Sequence, residues 1–300
     1  MLTLEKFANS SESDRNDSIQ LQAVRRKKAE QLADLVVSSL IAEATLTPKP
    51  GLVDMSGRGA HADLSWSLMC DSAQALHGTF LAMADAGLRI QNLLELRQTI
   101  GRLGRIGEEH MMACTGGVNT HRGAIWALGL LVTACAQNLE QVSHVSVAAR
   151  ASILANTPDQ FAPNKTGNKG ELACKTYQVG GARLQAQNGF PLILNAALPQ
   201  LRSTRMRGAS ESAARLNALL GVMAELDDTC VLSRGGLPAL EIVQSGAQQV
   251  IDLGGVDSPA GNIEYKKLEQ TLLQMHISPG GAADMLAAAL FLDQLNETGV

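Results

Sequence analysis

The apolar residues of this chain repeat at helical spacing, and no stretch shows the alternation typical of a β-strand. Leu32, Val36 and Leu40 fall at positions i, i+4 and i+8, on one face of a helix that must end before Pro48. Alanine and leucine dominate the apolar windows, whereas β-branched and aromatic residues are sparse. We therefore predict an all-α fold, a single-domain multi-helix bundle with glycine-rich functional loops.

Further segments show the same helical pattern, and two of them carry recognisable start signals. Asn92 followed by Glu95 is typical of an N-cap and N3 pair, and Ser278 before Pro279 is typical of an N-cap and N1 pair. The predicted helices after the first are 66–86, 92–112, 122–136, 183–201, 210–226, 238–251 and 279–295.

The two ends of the chain differ in composition. Residues 1–27 include the polar run NSSESDRNDS, which has no periodic apolar face, and we predict a mobile tail there. Residues 28–300 show no linker or internal repeat and are predicted to form one catalytic domain. Five scattered cysteines without a CxxC pair indicate a reducing compartment. No apolar window approaches the roughly 20 residues of a membrane span, so we expect a cytoplasmic protein.

The charge balance limits the partners. Lys and Arg number 25 against 29 Asp and Glu, giving a formal net charge of -4. The chain therefore has no global basic field to hold nucleic acid or an anionic membrane. Two Trp, two Tyr and five Phe are also too few for a platform that stacks nucleobases. Any anionic ligand must be bound by a local group of cations.

The connections between the predicted helices are dense in glycine, proline and ionisable residues. Glycine lets a backbone approach a ligand closely, and helix N-terminal amides attract phosphate. A single cluster of this kind is more often plain helix termination. Five clusters that all carry ionisable residues favour a shared site. The clusters are 47–64, 115–124, 179–191, 226–236 and 278–286.

Four common nucleotide or metal motifs are absent from the sequence. TGNKGELACKT lacks the spacing of a Walker A loop, and GRLGRIG is not a GxGxxG fingerprint and lies within a helical pattern. The chain has no HExxH motif and no His and Cys spacing typical of structural zinc. These absences exclude P-loop and Rossmann nucleotide binding.

Carboxylates in or beside the clusters are candidate ligands for Mg²⁺, which prefers oxygen and commonly shares carboxylates with substrate phosphates. This chemistry points to a nucleotide substrate. Helix capping or a solvated surface is the alternative for each acid, above all for Glu43 and Asp284. The candidates are Glu43, Asp54, Asp63, Glu108, Asp227, Asp228 and Asp284.

Basic groups accompany these acids. His61 and His121 are the histidines that lie in glycine-bearing clusters, where they serve either in catalysis or as structural hydrogen-bonding groups. One fixed cation belongs to each of the first four clusters, and the arginine fork suits phosphate oxygens. These cations are Lys49, Arg122, Arg183 and Arg234.

Taken in order, the clusters resemble the triphosphoribosyl-dephospho-coenzyme A synthases over residues 29–295. The shared motifs are PKPGLVD at 48–54, GAHAD at 59–63, TGGVNTHRGAI at 115–125, RGG at 234–236 and SPGGAAD at 278–284. The resemblance implies an enzyme that joins the ribose of ATP to 3'-dephospho-coenzyme A and releases adenine. The product passes to an acyl carrier protein of citrate lyase or malonate decarboxylase, and THRGAIW at 120–126 favours the malonate decarboxylase branch.

The resemblance also implies roles for residues. Asp63 or Glu108 would act as base on the attacking hydroxyl, and His61 or His121 would act on the leaving group. The expected Mg²⁺ ligands are Asp54, Asp228 and Glu43. The expected nucleotide contacts are Lys49, Asn119, Arg122, Arg183, Arg234, Gly235 and Gly280.

Two positions depart from the family pattern, and two other functions stay open. Gln185 stands where an acid is expected and cannot be a general base, and Cys230 stands where asparagine is expected. A Mg²⁺-dependent hydrolase of ADP-ribose linkages would use the same acids with water as nucleophile. A helical scaffold that binds a partner protein through its loops would have no affinity for nucleotides.

Overall fold

The computed structural model describes residues 2–163 and 165–298, with side chains described for 20–163 and 165–295. Its regular elements are helices, and within the described residues the only β-type pairing is an isolated bridge between Asp54 and Gly57. The all-α prediction is confirmed. The helices are α1 (Leu2–Thr45), α2 (Trp66–Ala75), α3 (His77–Arg89), α4 (Leu93–Cys114), α5 (Arg122–Gln137), α6 (His144–Asn156), α7 (Lys169–Tyr177), α8 (Gly181–Gln187), a π-helical turn (Ile193–Ala197), α9 (Leu198–Met206), α10 (Glu211–Glu225), α11 (Thr229–Asp252), α12 (Pro259–Gln274) and α13 (Gly280–Thr298).

The first helix is longer than predicted. α1 runs back to Leu2, so residues 2–27 are helical, where a tail without a helix was predicted. Side chains of residues 2–19 lie outside the described part, and the mobility of this segment and the domain boundary at residue 27 stay predictions.

One of the two predicted helix starts is confirmed. Asn92 Oδ1 accepts a hydrogen bond from the Glu95 amide at 3.0 Å, as an N-cap does. The Ser278 and Pro279 pair was placed wrongly, because α13 begins at Gly280 and the Ser278 hydroxyl lies 2.9 Å from His61 Nε2. A carboxylate from another helix caps α13 instead, as described below.

Several predicted helices are interrupted where the backbone leaves helical geometry. The segment 66–86 divides at Leu76 into α2 and α3. The segment 183–201 divides at Gly189 and Phe190, whose φ values are 75° and 55°. Inside α11, Gly236 has φ 65° and ψ -162°, a region open essentially to glycine, so the helical pattern predicted from residue 238 is the second half of α11. Helices α6, α7 and α12 lie outside the predicted segments.

Helix α5 is the centre of the bundle, buried along nearly its whole length and packed against α1, α3, α4, α6, α8 and α13. Glycine makes the tightest of these contacts possible. A β-carbon added to Gly87 of α3 would lie 2.6 Å from the carbonyl oxygen of Thr133 in α5. The first turns of α5 and α13 meet in this interior, and the glycine-rich loops lead into both.

No helix in the described part of the chain is both long enough and apolar enough to cross a membrane. All five cysteines have free thiols.

Candidate functional site

The loop after α1 is organised around the buried carboxylate of Asp54. Its Oδ1 accepts hydrogen bonds from the amides of Ser56 and Gly57 at 2.7 and 3.0 Å. Its Oδ2 accepts from the Lys49 amide at 2.8 Å and from the Thr47 hydroxyl at 2.9 Å. Both carboxylate oxygens are therefore engaged in holding the PKPGLVD loop in shape.

Lys49 and Glu43 form a buried ion pair beneath this loop. The Lys49 side chain is 1% exposed, and its Nζ bonds both the Glu43 carboxylate and, at 2.7 Å, the Glu43 carbonyl. Burial raises the pKa of Glu43, and the lysine charge opposes that rise. Lys49 is thus committed to Glu43 rather than presented to a phosphate.

His61 joins three of the five clusters. Arg234 NH2 lies 3.2 Å from His61 Nδ1, and the Ser278 hydroxyl lies 2.9 Å from His61 Nε2. Because a guanidinium only donates, the two shorter contacts are both satisfied when Nδ1 accepts from Arg234 and the imidazole hydrogen lies on Nε2, facing Ser278. Burial lowers the pKa of His61 and the charge of Arg234 lowers it further, whereas Asp63 raises it. The net shift favours the neutral imidazole.

Asp63 lies on the solvent-exposed side of His61. Its Oδ1 lies 3.6 Å from His61 Nδ1, and 64% of its side chain is exposed. Unlike Asp54, it has carboxylate oxygens that face solvent, so it can accept a proton from a group bound beside His61.

Asp228 connects the fourth and fifth clusters. Its Oδ1 accepts from the amides of Cys230 and Val231 at 2.8 and 3.3 Å, which caps α11. Its Oδ2 accepts from the Ala282 amide in the first turn of α13 at 2.9 Å. One buried carboxylate thus satisfies amides at the N-termini of two helices.

Asp284 connects the second and fifth clusters. The Ala124 amide in the first turn of α5 donates to its carboxylate, and a β-carbon added to Gly123 would lie 2.1 Å from its Oδ2. Burial raises the pKa of Asp284 well above its usual range, and the nearby charges of Glu43 and Asp228 raise it further. Helix capping was the ordinary interpretation of this residue in sequence, and its contact with α5 could not be seen there.

His121 is buried and serves packing. It is 2% exposed, its Nε2 lies 3.0 Å from the Met69 carbonyl, and burial lowers its pKa to about 4. At neutral pH the His121 imidazole is therefore uncharged and cannot donate a proton as an imidazolium.

Arg122 and Asn119 of the second cluster lie on a more exposed flank, together with Glu108, which precedes that cluster. Glu108 and Arg122 pair with each other at 3.0 Å, with side chains 40% and 31% exposed. The Asn119 side chain accepts from the Arg122 amide at 3.2 Å and shapes the start of α5.

The third cluster adjoins the fourth through Gly181, where an added β-carbon would lie 3.1 Å from the Thr229 side chain. Arg183 is exposed nearby and has no ion-pair partner among the described residues. Gln185 Oε1 accepts from the Leu192 amide at 3.4 Å, a contact within the loop rather than a catalytic one.

Gly235 and Gly280, predicted to contact the nucleotide, lie where helices pack closely. A β-carbon on Gly235 would lie 2.8 Å from Ile277, and one on Gly280 would lie 3.1 Å from the Cys230 sulfur. The close approach of each glycine to its neighbour brings the fourth and fifth clusters together.

The three predicted magnesium ligands do not fit a metal site as one group. Asp54 and Asp228 use both carboxylate oxygens for hydrogen bonds within the protein, and Glu43 is paired with Lys49. The described residues contain no set of three or more His, Cys, Asp or Glu side chains arranged to hold a metal. No step of the chemistry below is therefore assigned to a metal on these residues.

A separate pocket of about 540 Å³ lies between α1, α9, α10 and α13. Its charged side chains satisfy one another, since Arg205 pairs with Glu211 and Asp293 and Arg215 pairs with Glu211. It includes none of the residues of the glycine-rich clusters.

Comparison with known proteins gives a consistent match. A family described as CitG, ATP:dephospho-CoA triphosphoribosyl transferase, matches residues 29–300. A protein of Klebsiella pneumoniae named 2-(5''-triphosphoribosyl)-3'-dephosphocoenzyme-A synthase is 52% identical, covering 88% of this chain and 94% of that protein. A protein of Azotobacter vinelandii with the same name, qualified as probable, is 52% identical, covering 90% of this chain and 93% of that protein. No solved structure matches.

Proposed function

The chain belongs to the ATP:dephospho-CoA triphosphoribosyl transferase family, and from that premise we propose that it joins the triphosphoribosyl group of ATP to the 2'-hydroxyl of 3'-dephospho-coenzyme A. The bond from C1' of the ribose to the adenine nitrogen breaks, and a bond from C1' to the attacking oxygen forms. The hydroxyl loses one proton and the departing adenine gains one, so the step is balanced. The observation that carries the proposal is the contact of His61 with Arg234 and Ser278, which gathers three separated family motifs around one solvent-facing carboxylate.

Asp63 is the base in this proposal. By analogy with glycoside hydrolysis, the transition state is oxocarbenium-like and needs a carboxylate to take the hydroxyl proton. Asp63 is open to solvent beside His61, whereas the alternative base, Glu108, already holds Arg122. Because Asp63 is exposed, the bulky 3'-dephospho-coenzyme A can approach its carboxylate.

In this proposal His61 orients neighbouring side chains and does not protonate the leaving adenine. Its lowered pKa keeps it neutral, so it cannot give a proton as an imidazolium at neutral pH. Its Nε2 hydrogen instead fixes the Ser278 hydroxyl, and Arg234, exposed beside it, supplies a guanidinium to substrate phosphate. His121, buried against Met69, takes no part in the reaction.

Product analysis by mass spectrometry tests the activity. After incubation with ATP and 3'-dephospho-coenzyme A, we expect free adenine together with the triphosphoribosyl adduct of the coenzyme. Adenine with free ribose triphosphate would identify the hydrolase instead. No consumption of ATP by protein with native circular dichroism would favour a scaffold.

The branch of the family is a finer proposal. THRGAIW at 120–126 supports production of the prosthetic-group precursor of malonate decarboxylase rather than that of citrate lyase. Because the product is the same compound for either enzyme, removal of this protein from a cell that contains both enzymes tests the branch. Malonate decarboxylase should then lack its prosthetic group while citrate lyase keeps it, and loss from citrate lyase alone would contradict the proposal.

A further inference from the structure

On the flank where α4 meets the loop after α6, two arginines share one buried carboxylate. The Asp159 side chain, only 2% exposed, accepts a hydrogen bond from Arg105 NH1 at 2.7 Å and lies 3.6 Å from Arg97 NH1. Gly101 lies between the two arginines on α4, and a β-carbon there would be 2.1 Å from Asp159 Oδ2. Glycine therefore allows the carboxylate to reach both guanidiniums.

Arg97 is a charged side chain that is almost completely buried. It is 7% exposed, and its Cζ lies 5.4 Å from the centre of the Trp126 ring. Within the described part of the chain, Arg97 Nε and Trp126 Nε1 are buried without a hydrogen-bond partner. Leaving buried donors unpaired is costly, and such groups in native proteins call for an explanation such as a bound ion or ligand.

Arg183 adds a third positive charge. Arg183 lies on α8, which packs against α5 and α6. Burial lowers the pKa of Arg97, Asp159 opposes that shift, and the charges of Arg105 and Arg183 add to it. Arg183 has no carboxylate of its own among the described residues, and Asp159 alone faces the other two arginines. The flank therefore carries a surplus of positive charge on a protein of net charge -4.

This flank shares two helices, α4 and α5, with the site described above. Trp126 lies on α5 only two residues after Ala124, whose amide contacts Asp284. Arg105 precedes Glu108 on α4 by one turn, and Glu108 pairs with Arg122 at the start of α5. Lys49 is unavailable to phosphate because it is buried against Glu43, so a reaction between two polyanions needs cations from elsewhere.

We propose that Arg105 and Arg183, with Arg97 beneath them, form a second anion subsite that binds the diphosphate or triphosphate group of a nucleotide substrate. Arg105 and Arg183 reach solvent and can meet phosphate oxygens directly. Arg97 supplies a fixed charge in a desolvated setting, where it is screened less than an exposed charge. That the bound anion belongs to a substrate rests on the proposed function. That the subsite binds a diphosphate or triphosphate group does not.

Trp126 provides a direct readout of the subsite. The chain has two tryptophans, so a Trp66→Phe protein reports on Trp126 alone. In that protein we expect inorganic pyrophosphate to change the tryptophan emission in a saturable way. In the same background, Arg183→Gln should weaken pyrophosphate binding by roughly tenfold or more, as expected for a lost charge-assisted contact.

Arg102→Gln is the matched control, because Arg102 is exposed on the same helix α4. It should bind pyrophosphate within about twofold of the parent protein. Arg183 makes no ion pair in the described structure, so Arg183→Gln should keep the parent melting temperature. Absence of saturable pyrophosphate binding, or equal affinities in the Arg183→Gln and Arg102→Gln proteins, would overturn the subsite.

Kinetics separate the two sources of the anion. In Arg183→Gln, a raised KM for 3'-dephospho-coenzyme A alone assigns the subsite to its diphosphate, and a raised KM for ATP alone assigns it to the triphosphate. Unchanged values for both would contradict a substrate subsite while leaving the transfer activity in place. If the wild-type protein makes no adduct yet binds pyrophosphate through Arg183, the proposed function fails and the anion site stands.

Discussion

At the scale of single residues, burial decides what the ionisable groups can do. His61 and His121 are indistinguishable in sequence, since each lies in a glycine-bearing loop. In the fold, His61 is fixed between Arg234 and Ser278 beside an open carboxylate, whereas His121 is enclosed against Met69. Sequence patterns identify the residue types of a site, but the desolvation and hydrogen-bond partners that set their protonation arise only from tertiary packing.

The buried His121 should make folding stability depend on pH. Its folded pKa of about 4 lies below its unfolded value near 6.5, so the unfolded state binds more protons as the pH falls. Stability is fully present above about pH 6.5 and is lost progressively toward pH 4, by an amount on the order of 3 kcal/mol.

Thermal melts between pH 7 and pH 4.5 measure this dependence. His121→Gln, whose amide can still donate to the Met69 carbonyl, should show a shallower fall in melting temperature than the wild type. His110→Gln, at an exposed histidine on α4, is the matched control and should follow the wild-type curve. Identical slopes for all three proteins would show that His121 is not the group responsible.

Lys49 and Arg234 should respond differently to replacement by methionine. Lys49→Met leaves the Glu43 carboxyl buried without its partner, which typically costs about 3–5 kcal/mol. Arg234 is exposed, so Arg234→Met should raise the KM for ATP with little change in stability. Denaturant titration with steady-state kinetics distinguishes the two effects. A Lys49→Met protein of normal stability with only a raised KM would show that Lys49 binds substrate.

At the scale of helices, the sequence predicts interiors better than ends. The periodic segments 122–136 and 210–226 correspond closely to α5 and α10, because a long apolar face leaves little choice of structure. The break at Gly236 and the cap of α13 were not predicted. A carboxylate on α11 that caps α13 is a long-range contact, for which local sequence carries no signal.

Asp228→Asn tests this shared cap. An amide side chain keeps one acceptor oxygen but places its NH₂ group against a backbone amide, so one helix N-terminus loses its partner. We expect a loss of about 1–3 kcal/mol in the free energy of unfolding, measured by denaturant titration. Asp252→Asn, at an exposed position in the same helix, should change it by less than about 0.5 kcal/mol. If the two variants are equally stable and only Asp228→Asn loses nucleotide affinity, Asp228 binds substrate instead.

At the scale of the whole molecule, the packing of helices supplies what sequence order lacks. The five clusters could be recognised in sequence, but their distances could not. The structure connects them in pairs, through His61 with Arg234 and Ser278, Asp228 with Ala282, and Ala124 with Asp284. Lys49 and Glu43 lie inside this assembly as its buried support. The proposed shared site depends on this packing, since α5 and α13 bring loops that are distant in sequence into contact.

Hydrogen–deuterium exchange with and without ATP and 3'-dephospho-coenzyme A tests the central claim, that these separated loops form one substrate site. We predict that the substrates slow exchange together in peptides covering 47–64, 115–124, 179–191, 226–236 and 278–286, while exchange in α12 stays unchanged. Protection confined to one of these clusters, or protection of α12 with none in the loops, would contradict a shared site.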